Sequence, residues 1–177
     1  MVLGILVVEG KKTMAKKQSR ECQPCTACCD GWVTMKIGNA EVYPSQACPH
    51  STKKGCADYH NRPIDPCHRF NCAWVLKDSV LPEWMKPSNS KAIVILNKLQ
   101  WRGIPVDLAV PVGKRIPPRT LKWLQNFVQT HSRLLIYTEQ VLENGKFQKD
   151  QKVIAYGTAE FQQDIYHSQQ AGIDLWQ

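Results

Sequence analysis

All eight cysteines of this 177-residue chain lie between Cys22 and Cys72, and the hundred or so residues after them contain none. Thiols crowded into one stretch of a chain that is 43% hydrophobic and long enough to bury a core must be accounted for by any fold it adopts. The longest early apolar run, Val2 to Val8, falls far short of the ~20 residues that cross a bilayer. The lysines Lys11, Lys12, Lys16 and Lys17 follow that run, whereas a secretory signal places its charge before it. Export is therefore not expected, and a cytoplasmic, reducing compartment favours thiolate ligands over disulfides. Met14 opens an alternative polar start, so residues 1–21 read as a flexible basic N-terminus, 22–90 as a cysteine-cluster metal-binding region and 91–177 as an α+β portion forming one compact unit with it.

Cys22, Cys25, Cys28 and Cys29 form CxxCxxCC. The first three sulfurs recur every three residues and can converge from one side of a tight turn. Cys29 shares the face of Cys25 in a helical turn, points the other way in an extended one, and could then serve a second ion. Cys48, Cys56, Cys67 and Cys72 follow in turn-forming contexts, Cys48-Pro49-His50, Lys54-Gly55-Cys56 and Asp65-Pro66-Cys67, which bring distant ligands to a shared point. Such a set could hold two tetrahedral zinc sites, a 4Fe-4S cluster with four spare thiols, or a polynuclear centre, and the spacing does not choose among them. The ferredoxin continuation after CxxCxxC is missing, and the later separations are not those of a zinc ribbon.

These residues resemble the CxxCxxCC, or YkgJ-type, cysteine-cluster family, described as zinc- or iron-chelating. The resemblance is carried by the four leading cysteines, Cys48-Pro49-His50, Gly55-Cys56, Tyr59, Arg62-Pro63 and the segment Cys67-His68-Arg69-Phe70-Asn71-Cys72-Ala73-Trp74. Leu81-Pro82 to Met85-Lys86-Pro87 continues it more loosely. His68 stands where the family presents an arginine. A similar cluster occurs within the longer flagellin lysine N-methylases.

His50, His60 and His68 could supplement the thiolates, and Arg62 and Arg69 could balance them, since a four-thiolate zinc site is formally 2−. Two such sites would lower the formal charge of +8 to about +4, which weakens basicity as a sign of nucleic-acid binding. Tyr59, Phe70 and Trp74 would wall the centre from water. Arg102, Lys114, Arg115, Arg119 and Lys122, interleaved with Trp101 and Trp123, form the best stretch for nucleic acid in the chain.

Downstream, Ala92 to Leu96 and Val106 to Val110 read as strands. Pro117-Pro118 opens an amphipathic helix over 118–131 that covers the sheet. Arg133 to Tyr137 reads as a strand, Glu143-Asn144-Gly145-Lys146 as a type I′ hairpin turn, and 147–156 as the antiparallel return. Thr158 caps a last helix running to about Gln170, with Phe161 and Ile165 on its buried side. The fold class expected is α+β, a cysteine-rich metal-binding region packed on a small sheet with two covering helices.

No Gly-rich phosphate loop, HExxH or GxSxG is present, and His131 and His167 read as surface helix residues. The leading expectation is a cytoplasmic protein chelating zinc or iron, as ions or a 4Fe-4S cluster, through the eight cysteines. An iron-sulfur redox or protein-modification enzyme is the alternative, and a module binding RNA or a protein partner is a further one.

Overall fold

The structure, a computed structural model, describes residues 20–52 and 54–175. The expected basic N-terminus, including Val2 to Val8 and Met14, lies almost wholly outside the described residues. Among them no helix is long and apolar enough to cross a membrane.

The chain is α+β. Strands β5 (Ala92–Trp101), β6 (Ile104–Pro111), β7 (Leu134–Glu143) and β8 (Lys146–Tyr156) form one sheet in that order. The outer pairs are antiparallel hairpins, and β6–β7 is parallel. A parallel pair needs a crossover, supplied by α2 (Pro118–Thr130), whose Leu124 and Val128 are buried in the core. From Val106 to Pro111 both alternating sets of β6 side chains are buried, which means that both faces of the sheet are covered. The last helix, α3 (Ala159–Gln170), buries Phe161 and Ile165, and its Thr158 hydroxyl accepts from the Phe161 amide at 3.2 Å.

Turn chemistry sets the register. Asn144 and Gly145 both adopt positive φ (50° and 76°), as a type I′ turn requires, and Arg102-Gly103 does the same between β5 and β6. β5 extends beyond Leu96 because a bulge at Asn97 (φ 54°) restarts the pairing at Leu99. Arg133 precedes β7 instead of opening it. Its guanidinium makes a two-pronged pair with Asp107, which is almost fully buried in β6, and a further bond at 2.6 Å to Asn97 Oδ1. Asp107 also accepts from the Asn97 amide, so one carboxylate holds the bulge, the central strand and the entry to β7.

The cysteine region contains two small hairpins, β1 (Met35–Ile37) with β2 (Ala40–Val42), and β3 (Ser51–Thr52) with β4 (Gly55–Cys56). It reaches both outer strands of the sheet. The Ala73 amide donates to Val94 O on β5, and Ser45 Oγ to Phe147 O on β8. Trp32 packs edge-on against Phe147, and Cys72, Ala73 and Trp74 join the main core. Next to them come the short helix α1 (Pro87–Ser90) and buried Leu81 and Met85, in the segment that loosely extends the cysteine pattern.

Candidate metal centre

All eight cysteines line one cavity of about 180 Å3, and all eight are free thiols. Cys22 to Gly31 runs as successive tight turns, with Cys25 N bonded to Cys22 O and Gly31 N to Cys28 O. Gly31 is fixed by contact as well as by its φ of 91°, because a Cβ there would lie 2.1 Å from Tyr43 O. This close approach lays the CxxCxxCC turn against the end of β2. Asp30 clamps it from the other side, accepting from Thr26 Oγ1 at 2.6 Å and from Ser51 Oγ on β3 at 2.8 Å. The sequence offers only a carboxylate beside a turn as a signal for Asp30, and its role depends on a hydroxyl far along the chain.

Cys28 and Cys29 diverge. Cys25 and Cys28 pack against the main core, in which Cys72 is buried. Cys29 and Cys67 pack instead against a second, small cluster of Ile37, Val42 and buried Cys48. The Cys48 amide donates to Cys29 O at 2.8 Å, and Cys56 pairs with Ser51 just beyond it. The hairpin β1–β2 that floors this cluster was not expected from the sequence, although Gly38-Asn39 between alternating residues is a turn signal.

Electrostatics couples the thiols across both clusters. Burial pushes Cys22 from an ordinary 9.0 up to about 11, with Cys25 and Cys72 adding to the rise and Arg62 and Lys86 opposing it. Burial raises Cys28 well above that ordinary value, reinforced by Cys72, Cys22, Cys25 and Cys29. Cys29 is pushed up to about 12 by burial, then by Cys22, Cys48, Cys56 and Cys67. Cys67 is raised by burial, then by Cys48 and Cys56, with Arg62 opposing. Cys72 is raised by burial, opposed by the backbone amides of Val75 and Trp74, which favour thiolate.

Of the accessory residues, Arg62 lines the cavity with its guanidinium 3.8 Å above the Tyr59 ring, and its buried Nε has no hydrogen-bond partner. Arg69 is exposed and pairs with Asp65. His50 is on the cavity wall, whereas His60 packs edge-on against Tyr59 and His68 sits exposed in the turn Ile64–His68. Tyr59 and Phe70 face the cavity, and Trp74 walls a smaller adjoining hollow, its Nε1 bonded to Glu83 O. Arg20 seals this side, bonding Trp74 O, Leu81 O and Glu83.

Among the described residues, no group of three or more His, Cys, Asp or Glu side chains is arranged to hold a metal ion as it stands. The thiols face a common space without closing on a point. Their donor chemistry nonetheless suits a thiophilic metal: soft ligands, water-poor walls and a buried N–H with nothing to donate to.

Several of the basic and aromatic residues singled out for nucleic acid have local partners. Trp101 and Arg102 are both bonded to Asp164 of α3, Arg115 pairs with Glu139, and Arg119 lies over Trp84, which packs edge-on against Trp123. His131 and His167 are exposed on helix ends.

No family model, curated protein or solved structure matches the chain.

Proposed function

We propose that the protein binds a thiophilic metal, zinc or iron, through its eight cysteines, in keeping with its resemblance to the CxxCxxCC family. The observation that carries this reading is that well-separated segments bring every cysteine of the chain to one cavity, with an unpartnered arginine N–H beside them. A structural role for small buried hydrophobes would not need all eight to meet. Cys22, Cys25, Cys28, Cys29, Cys48, Cys56, Cys67 and Cys72 would be the ligands, with His50 on the wall as an accessory donor. The metal would supply the positive charge that buried thiolates lack, and loading it requires side-chain rotation and loss of the thiol protons. A reducing, cytoplasmic setting, which keeps thiols available to metal, fits this reading.

Metal and acid-labile sulfide analysis, with a visible spectrum, on protein purified without oxygen tests the reading. Zinc without sulfide would make this a chelating or structural module. Iron with matching sulfide would make it a cluster protein. Protein that arrives without metal and takes up neither ion in the reduced state would end the proposal.

A further inference from the structure

We infer that the eight thiols serve two centres, Cys22, Cys25, Cys28 and Cys72 at one and Cys29, Cys48, Cys56 and Cys67 at the other, with Arg62 between them donating to both. This rests on the metal-binding reading above and goes beyond it in number, membership and the bridging cation.

Packing and cavity shape give the division. Packing separates the buried thiols, with Cys72 in the main core and Cys48 in the small cluster floored by Ile37 and Val42. Cavity shape separates them again. The adjoining hollow behind the main cavity is walled by Cys22, Cys25, Cys28 and Cys72 and touches none of Cys48, Cys56 and Cys67. Cys29 also borders that hollow, but its carbonyl is tied to the Cys48 amide and its side chain packs on the second cluster. By the same packing, neighbouring Cys28 and Cys29 face different clusters, and the tandem pair is where the ligand set divides. A tetrahedral ion takes four thiolates, so eight that fall into two fours match two ions.

Two adjacent four-thiolate zinc sites would each be formally 2− and would repel one another. Arg62 answers that charge. It lines the cavity that all eight thiols share, its guanidinium lies 3.8 Å above the Tyr59 ring, and its buried Nε–H has no acceptor. Arg69, turned outward onto Asp65, is not placed to do this.

The test is titration of the reduced full chain with Co2+, reading ions bound and thiolate-to-metal absorption. The unaltered chain should bind two ions. Cys25→Ser with Cys72→Ser should keep one ion with an undiminished four-thiolate spectrum, as should Cys48→Ser with Cys67→Ser. The crossed pair, Cys67→Ser with Cys72→Ser, should lose that spectrum at both centres. Either same-set variant binding no ion while keeping its native circular dichroism would overturn the two-centre division and leave the metal reading intact. An unaltered chain that binds no Co2+ would remove the metal reading itself. Alkylation after one equivalent of Zn2+ gives a check that needs no variant: protection should come as one whole set of four, and protection mixed across the sets would overturn the division. Arg62→Met should weaken loading at both centres by roughly tenfold, with Arg62→Lys recovering part of the loss. Unchanged affinity at both would remove Arg62 from the proposal.

Discussion

A thiol raised to about 12, as at Cys29, or to about 11, as at Cys22, is neutral at pH 7, so an ion entering the cavity must displace its proton. Zn2+ titrations in buffers of different ionisation enthalpy should therefore release close to one proton per sulfur bound, and affinity should climb steeply from pH 6 to 8; a flat profile would mean the thiols were already ionised. The same shifts carry a sign for the metal-free chain. A folded-state value above the unfolded 9.0 stabilises the fold below pH 9 and loses that contribution as pH rises through 11 to 12. Urea midpoints of metal-free protein should fall between pH 9 and 11, and loaded protein, already deprotonated at its sulfurs, should lack that part of the fall. Gly31→Ala places a Cβ against Tyr43 O at a φ of 91°; the backbone conformation alone costs about 1–3 kcal/mol, and the overlap adds to it. The variant should show a lower urea midpoint and weakened metal uptake together, because the turn it displaces carries Cys28 and Cys29.

The elements of the second half rest on local signals, and their strengths can be measured singly. Removing the hydroxyl that caps α3, in Thr158→Ala, should cost about 1 kcal/mol in chemical denaturation without altering metal content. Arg133→Ala should cost more, about 3–5 kcal/mol, because it strands the buried Asp107 carboxylate, and Arg133→Ala with Asp107→Asn together should recover part of that loss. Asn144-Gly145 and Thr158 were readable because each carries its conformation in its own chemistry. β5 beyond Leu96 was not, since the bulge at Asn97 breaks the alternation that marks a strand, and β7 was read as ending at Tyr137 because Thr138 and Gln140 are polar yet buried. Val106 to Val110 was legible as a strand, but nothing near Asp107 in sequence announces that its partner waits at position 133. The eight cysteines were legible as a set from composition alone, whereas their division into two groups depends on Ile37, Val42 and Val94, residues without any ligand chemistry.

Across the whole molecule, the cysteine region and the sheet share one core through Cys72, Ala73 and Trp74, yet Cys48 belongs to a separate small cluster. Chelation should therefore act unevenly. Hydrogen exchange after metal removal should rise first over 29–67, while the buried amides of β6 stay protected; uniform loss of protection throughout would mean that the sheet also depends on the metal. The two attachments of this region to the sheet, Ala73 to Val94 and Ser45 to Phe147, also set an order of events at birth. The thiols leave the ribosome first, but the outer strand that carries Phe147 is made on the order of several seconds later. The nascent chain therefore carries eight uncovered sulfurs through that interval, and an oxidant met then would reach thiols whose shelter has not yet been synthesised.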